Sequence, residues 1–283
     1  MGAIEIRNLS WNFENKSILK NIYLNLEKGE FTSILGPNGS GKTTLLRTIS
    51  TWLKPRKGTI YLEGKDVLSF SSKELSKHMA FVPQNTNIDF EFSALDIVLM
   101  GRWTHLKNLE NESLEDLEIA REAMNITNTW EFRDRIINTL SGGERQRVII
   151  ARALATQAKI LIMDEPVSNL DIYHQMEILS IIKSLQHDKK LTVVTVLHDV
   201  NLASQYSDKI VFMKDGFIKS YGVPEKVLTR ENINDVYDID VYMTRHPVMD
   251  CPYVIPLYTN KKQDTDNGKI IMFDSIKNLR NGK

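Results

Sequence analysis

Hydrophobic residues follow two different patterns along this chain. In residues 3–30, and again in 58–64, they alternate with polar ones, which is typical of strands with one exposed face. Other segments are apolar with little interruption, as expected of strands buried on both faces of a parallel sheet. These segments are 31–35, 79–83, 160–163 and 192–197. The pattern predicts an α/β protein with a mostly parallel sheet and a small antiparallel β subdomain.

Between residues 87 and 155 the pattern becomes helical. Apolar positions recur at spacings of three and four in 95–100 and 114–124. A helical subdomain is therefore predicted as an insertion between two strands of the sheet. Near the end of the sheet, Lys214-Asp215-Gly216 separates two short apolar segments and predicts a hairpin turn.

A glycine-rich segment follows the strand predicted at 31–35 and fits the phosphate loop G-x-x-x-x-G-K-[ST]. Its residues are Gly36, Pro37, Asn38, Gly39, Ser40, Gly41, Lys42 and Thr43. A helix predicted over 42–53 begins where the loop ends, so backbone N–H groups and the positive helix start face the same point. A glycine-rich turn with a surface lysine is the alternative, but strand, loop and helix together favour a nucleotide site in a P-loop NTPase core.

The loop assigns separate tasks to its last residues. We expect Lys42 to contact the β- and γ-phosphates and the Thr43 hydroxyl to hold Mg²⁺. Thr44 follows and is a further cofactor-binding candidate, with a structural role as the alternative.

Two carboxylates follow the apolar segment 160–163. Asp164 and Glu165 would lie at the carboxyl edge of the sheet, where open α/β sheets bind ligands. Because side chains alternate along a strand, the two should point to opposite sides and do different work. Asp164 is the Mg²⁺-side candidate and Glu165 the candidate general base for an attacking water. The alternative is an acidic pair that starts a helix before Pro166.

Two further polar residues end predicted strands. His198 follows 192–197 and is a candidate contact for the γ-phosphate or the attacking water, with a structural histidine as the alternative. Gln84 follows 79–83 and leads into the helical segment. Its amide could reach Mg²⁺ or the water only when the two subdomains close, which would make it a sensor; a polar residue that merely ends a strand is the alternative.

A second helix start lies about a hundred residues after the first. Ser141 is followed by Gly142, Gly143 and Glu144, and a helix is predicted over 144–155. Ser141 with Glu144 three positions later has the form of a capping box. The segment is therefore either a well-capped helix or a second anion site.

Composition narrows the class of protein. Thirty-six basic and 36 acidic side chains among 283 residues give a net charge of zero, which argues against a bulk electrostatic nucleic-acid binder. A single cysteine, Cys251, forms no internal disulfide and fits a reducing compartment. No apolar run approaches the ~18–20 residues needed to span a bilayer, so we expect a soluble protein.

In this order the motifs resemble those of the ATP-binding-cassette (ABC) family over about residues 3–225. Leu140 to Glu144 is similar to its signature sequence, with Glu144 in place of the usual glutamine. Gln84 falls in the Q-loop, Ser168-Asn169-Leu170-Asp171 in the D-loop, and His198 at the switch histidine. Phe13 falls where the family stacks an aromatic ring on adenine, with Trp11 as a rival.

The resemblance implies a composite site. The phosphate loop of one subunit and the signature residues Ser141 to Glu144 of another enclose the same ATP, so this chain should pair head-to-tail with a second copy when ATP and Mg²⁺ bind. Asp171 is carried over as a nucleotide-site residue. The ABC ATPase domain would span 1–225, with its helical subdomain at about 87–157, and 226–283 would be a small C-terminal extension.

The segment after Gln84 further resembles importers of iron-siderophore, haem and cobalamin complexes, through Met100-Gly101-Arg102 and His105. A helix end at Gly101 with a basic neighbour is the alternative. The resemblance implies an ATPase peripheral to the cytoplasmic face of the membrane, with two membrane permease subunits and, indirectly, a substrate-binding protein. The alternatives are a non-transport ABC ATPase acting in DNA repair or on ribosomes, and a regulator without turnover.

Overall fold

The structure is a computed structural model that describes residues 2–84, 88, 90–107, 111–168 and 170–257. Asn169 of the predicted D-loop and the part of the predicted C-terminal extension from 258 onward lie outside the described residues. Within the described residues, no helix is long and apolar enough to cross a membrane.

The strands form a central six-stranded sheet with the order β10-β9-β3-β8-β7-β6, an antiparallel sheet with the order β2-β1-β4-β5, and the hairpin β11-β12. Their bounds are β1 Ile4–Phe13, β2 Lys16–Leu26, β3 Phe31–Leu35, β4 Ile60–Leu62, β5 Lys65–Asp66, β6 Met79–Val82, β7 Ile160–Asp164, β8 Thr192–Val196, β9 Lys209–Lys214, β10 Phe217–Gly222, β11 Asp240–Arg245 and β12 Pro252–Leu257. In the central sheet only β10 runs antiparallel to its neighbour. The α/β class with a small antiparallel sheet is confirmed.

The helices connect these strands. Their bounds are α1 Lys42–Ile49, α2 Ser72–His78, α3 Ala94–Leu99, α4 Leu114–Ile126, α5 Gly142–Ala155, α6 Ile172–Lys189, α7 Val200–Tyr206, α8 Pro224–Val227 and α9 Arg230–Tyr237. Helices α3, α4 and α5 pack on one another. They follow β6 and precede β7 along the chain, where the sequence predicts the helical insertion.

Two predicted helix bounds were wrong. Helix α1 ends at Ile49 rather than at residue 53, because Thr51 takes a left-handed φ of 61° that no α-helix continues. Helix α5 begins at Gly142 rather than at Glu144, because the capping box of Ser141 with Glu144 forms and places the first helical residue directly after the cap.

The central sheet is buried on both faces. Along β7, Ile160 and Ile162 belong to the core shared with α1 and the antiparallel sheet, whereas Leu161 and Met163 belong to the core shared with α4, α5 and α6. Alternate side chains therefore anchor opposite layers, as the uninterrupted apolar segment predicts.

A buried ion pair ties the helical subdomain together. Arg102 and Asp116 are 5% and 6% exposed, and Arg102 Nε donates to Asp116 Oδ1 at 2.9 Å. The guanidinium also donates to the carbonyl of Ala155 at 2.8 Å. Hydrogen bonds from Ser113, with that from Arg102, lower the pKa of Asp116 to about 2. The Met100-Gly101-Arg102 motif thus joins α3 to the end of α5 instead of presenting Arg102 at the surface.

We predict that Arg102→Ala lowers the free energy of unfolding by about 3–5 kcal/mol, because Asp116 would remain buried without its cation. Urea unfolding at neutral pH measures this loss. The matched control is Arg230→Ala, which removes an Arg–Asp pair whose side chains are 60% and 38% exposed, and it should cost less than ~1 kcal/mol. Equal losses in the two variants would contradict a special role for the buried pair.

Candidate functional site

The phosphate loop connects β3 to α1 and depends on glycine at three positions. Gly36, Gly39 and Gly41 have φ values of 151°, 79° and 100°. A Cβ on Gly36 would lie 2.1 Å from the carbonyl oxygen of Met213, and one on Gly41 would lie 2.9 Å from a methyl of Leu19. The loop can therefore curl against its neighbours only with these residues.

The side chain of Lys42 is buried at the centre of the loop. Its Nζ donates to the carbonyls of Gly36 and Pro37, each at 2.9 Å. Burial lowers the pKa of Lys42, while the carboxylates of Glu165 and Asp164 oppose that change. The loop thus concentrates positive charge where its backbone amides converge.

Asp164 ends β7 directly opposite the start of α1. Thr43 Oγ1 donates to Asp164 Oδ1 at 3.0 Å. Burial raises the pKa of Asp164, the hydrogen bond from Thr43 opposes this, and the nearby Glu165 carboxylate adds to it. A hydroxyl and a carboxylate therefore meet at one point, as the sequence predicts for a Mg²⁺ site.

Glu165 receives contacts from two other strand ends. Gln84 Nε2 donates to its Oε2 at 2.5 Å, and His198 Nε2 lies 2.7 Å from its Oε1. The carboxylate side chain is only 12% exposed. The structure thus brings Glu165, Gln84 and His198 together within a single chain.

The separation of the two carboxylates has a different cause from the one expected. Asp164 is the last residue of β7, and Glu165 lies beyond the strand with a left-handed φ of 50°. A turn, not strand alternation, sends Glu165 away from Asp164. Gln84 was expected to reach Mg²⁺ or the attacking water when the two subdomains close. In the structure its amide instead contacts Glu165 directly.

A cavity of about 270 Å³ lies against the loop. Its walls include Asn38, Thr43, Thr44 and Glu165, and none of the residues that the structure describes in 140–144. Beside it, the Ser40 hydroxyl is buried without a hydrogen-bond partner among the described residues. A phosphate oxygen would supply that partner, so the loop fits a nucleotide phosphate.

The residues also fit Mg²⁺. Thr43 and Asp164 offer oxygen atoms, which this ion prefers, and it commonly takes only one or two protein ligands. In the described part of the chain, no group of three or more His, Cys, Asp and Glu side chains could form a larger cation cage.

The two candidate adenine platforms differ in exposure. Phe13 ends β1 with its side chain exposed, and it is paired with Lys16, which lines the cavity. Trp11 is partly buried and packs against the core. The ring of Phe13 is therefore the freer one.

The second helix start has open space in front of it. Ser141 Oγ accepts from Glu144 N at 3.3 Å, and Glu144 Oε2 accepts from Ser141 N at 2.8 Å. The hydrogen bond from the Ser141 backbone also lowers the pKa of Glu144. A Cβ on Gly142 would meet nothing within 4 Å, and one on Gly143 would meet His174 at 3.4 Å.

Asp171 caps α6 by accepting from His174 N at 3.0 Å. It does not line the cavity at the phosphate loop. Sequence reasoning missed its neighbours: Arg147 Nη1 lies 3.2 Å from His174 Nδ1 and 3.3 Å from Glu177, which joins α5 to α6 behind the signature segment. Only the positions of His174 and Glu177 three apart on a helix could have suggested this cluster.

Comparison with known proteins gives a consistent family. Residues 19–168 match the family described as ABC transporter. The chain is 40% identical to the hemin import ATP-binding protein HmuV of Gloeobacter violaceus, over 85% of this chain and 89% of the relative. It is 34% identical to the ferric enterobactin transport ATP-binding protein FepC of Escherichia coli, over 88% and 92%.

Solved structures agree with these relatives. A metal-chelate type ABC transporter in an inward-facing conformation superposes with a TM-score of 0.79 at 29% identity, covering 90% of this chain and 97% of that chain. A dimeric bacterial ABC transporter cassette superposes with a TM-score of 0.70 at 32% identity, covering 78% and 98%.

We predict that Gly36→Ala destabilises the fold more than Gly39→Ala. Both positions need a φ that favours glycine, but a Cβ at Gly39 meets nothing within 4 Å, whereas one at Gly36 collides with the Met213 carbonyl. Gly39→Ala should cost about 1–2 kcal/mol, the usual penalty for left-handed backbone, and Gly36→Ala clearly more. Urea unfolding of both variants tests this, and equal losses would mean that the close approach does not constrain the loop.

Proposed function

The chain belongs to the ABC transporter family, and from this premise we propose that it is the ATP-hydrolysing subunit of an importer for a metal-chelate cargo. The observation that carries the proposal is the Glu165 carboxylate, held by Gln84 and His198 beside the phosphate loop. This arrangement supplies a positioned base where the terminal phosphate of a bound nucleotide would lie.

The hydrolytic step uses Glu165 as the general base. Each carboxylate oxygen can accept two hydrogen bonds, so a lone pair stays free for a water although both oxygens already have partners. Glu165 takes a proton from that water, the water oxygen bonds to the γ-phosphorus, and the bond to the β-γ bridging oxygen breaks to leave ADP and phosphate. His198 and Gln84 hold the base and the water in line.

Charge on the phosphates is balanced by the loop. Lys42 and the backbone amides of residues 36–41 would bind the β- and γ-phosphates. Thr43 and Asp164 would hold Mg²⁺, which neutralises phosphate charge when bound. Phe13 would stack on adenine, because it is the more exposed of the two aromatic candidates.

The signature segment supports a site shared by two chains. Ser141, Gly142 and Gly143 present a helix start, with Glu144 beside them, but they do not border the cavity at the phosphate loop. A second copy placed head-to-tail would bring its own helix start to the phosphates, with Asp171 at the junction. The dimeric cassette among the structural relatives supports this arrangement.

A groove of about 560 Å³ between α2, β6 and the helical subdomain suits a membrane subunit. It is lined by Trp52, Leu75, Met100 and Trp103, and the two tryptophans are 62% and 58% exposed. Aromatic side chains with this exposure are common centres of protein interfaces. We place one permease subunit in the groove of each copy, with the ATPase peripheral to the cytoplasmic face of the membrane.

The cargo is inferred through relatives. The hemin import protein, the ferric enterobactin transport protein and the metal-chelate type transporter are all named for metal complexes. We therefore propose a metal chelate such as an iron-siderophore, haem or cobalamin. A DNA-repair or ribosomal ATPase is the competing function, and the zero net charge argues against it.

We predict that Glu165→Gln keeps ATP binding, abolishes hydrolysis and makes the chain dimeric in ATP and Mg²⁺. The amide retains the shape of the carboxylate but cannot take a proton from water. Analytical ultracentrifugation with and without ATP measures the dimer, and phosphate release measures hydrolysis. The control is Glu118→Gln, which alters an acid on α4 that is 71% exposed and outside the cavity; it should hydrolyse ATP at close to the unmodified rate. Normal turnover by Glu165→Gln would exclude Glu165 as the base.

We also predict that the tagged chain, purified from its native membrane in mild detergent, brings polytopic membrane subunits with it. Trp103→Ala should reduce that recovery without changing ATP affinity, because it removes aromatic surface from the groove only. Tyr23→Ala, an aromatic that is 63% exposed on β2 away from the groove, is the control. Recovery of ribosomes in place of membrane subunits would contradict the importer function.

A further inference from the structure

Helix α6 begins against α5, the helix that carries the end of the signature segment. Gly143 and Arg147 are four residues apart on α5 and therefore lie on one face of it. A Cβ on Gly143 would lie 3.4 Å from the ring of His174 and 3.6 Å from a methyl of Leu170. The signature segment thus packs directly on the D-loop and on the first turn of α6.

Arg147 is buried at this junction, where it is 7% exposed. Its Nη1 lies 3.2 Å from His174 Nδ1 and 3.3 Å from Glu177 Oε2. A guanidinium only donates hydrogen bonds, so the imidazole nitrogen and the carboxylate oxygen both accept from it. Glu177 balances the charge of Arg147, and His174 fixes the direction of its guanidinium.

The same cluster reaches two further parts of the chain. Glu177 Oε1 accepts from Asn128 Nδ2 at 3.2 Å, just after α4, which joins the helical subdomain to α6 a second time. The backbone N–H of His174 donates to Asp171 Oδ1 at 3.0 Å, at the end of the D-loop. His174 is therefore a single residue that contacts the signature segment, Arg147 and the D-loop.

The position of α5 relative to α6 matters for the proposed dimer. The signature segment and the D-loop would both face the second copy, so a shift of one helix along the other would misplace one segment when the other docks. Segments that are already held in their bound arrangement lose less freedom when two chains associate. A contact that fixes α5 on α6 therefore favours the dimer without touching ATP.

We propose that His174 is a positioning residue for the ATP bound by the second copy: it directs Arg147 and thereby holds the signature segment in fixed register with the D-loop. This role rests on the proposed function, because it concerns the proposed shared site. His174 does not line the cavity at the phosphate loop of its own chain. What the role requires is a hydrogen-bond acceptor at the place of Nδ1.

The test compares three substitutions in the Glu165→Gln chain with ATP and Mg²⁺. His174→Leu fills the space but removes the acceptor, so the dissociation constant of the dimer should rise about two- to tenfold, the value of one hydrogen bond. His174→Asn keeps an acceptor oxygen two bonds from Cβ, as Nδ1 is, and should restore the dimer. His187→Leu, at an α6 histidine that is 80% exposed, is the control and should change nothing. Analytical ultracentrifugation measures the dimer, and ATP affinity at protein concentrations too low for dimers should be equal in all variants.

Two further measurements isolate the contact with Arg147. Combining Arg147→Met with His174→Leu should weaken the dimer no more than the stronger single change, because both remove the same hydrogen bond. In the ATP-free monomer, backbone amides at the start of α5 should exchange hydrogen faster in His174→Leu than in His174→Asn.

An unchanged dimer in His174→Leu would overturn the proposal, even if its melting temperature fell. Equal weakening by His174→Leu and His174→Asn would also overturn it, since the ring would then act by packing alone. Failure of the proposed function is a separate result, in which the Glu165→Gln chain with His174 intact would not dimerise in ATP. Hydrogen exchange in the monomer still decides, in that case, whether His174 holds the signature segment.

Discussion

The carboxyl ends of parallel strands lie at one edge of a sheet, and the arrangement of the candidate site depends on that constraint. Strands β3, β6, β7 and β8 end there with Gly36, Gln84, Asp164 and His198 on or just after them. Residues more than a hundred positions apart therefore meet without any long loop. The buried apolar faces of these strands fix the position of that edge, so packing in the core sets the geometry of the site.

Charge at this edge is confined by local contacts. Loop carbonyls hold Lys42, Thr43 holds Asp164, and Gln84 with His198 holds Glu165. Each contact leaves the same group able to engage a phosphate, an ion or a water. No comparable set of groups surrounds the helix start at Ser141 among the residues that the structure describes, where Gly142 faces open space. This difference supports the proposal that one chain holds a catalytic half-site and, separately, an anion-binding half-site.

The sequence predicted the parts that depend on local rules. The strand before the phosphate loop, the capping box of Ser141 with Glu144, and the turn at Asp215-Gly216, with φ values of 53° and 84°, all follow from residue type and spacing. What it missed depends on contacts between distant segments. Nothing in the periodicity of the chain predicts the ion pair of Arg102 with Asp116 or the edge-to-face contact of Tyr237 with Phe212. The turn at Glu165 was missed as well, because left-handed backbone at a non-glycine residue leaves no mark in the pattern.

In the proposed dimer, Ser141 to Glu144 complete a nucleotide site on another copy of the chain. The most direct measurement is the mass of the Glu165→Gln chain carrying a second change, Gly142→Asp, in saturating ATP and Mg²⁺. The added carboxylate has room in the single chain, since nothing lies within 4 Å of that position, but it would face phosphates presented by a partner. A site shared by two copies predicts unchanged ATP affinity in a chain that stays monomeric, and a stable ATP-bound dimer of the double variant would contradict a shared site.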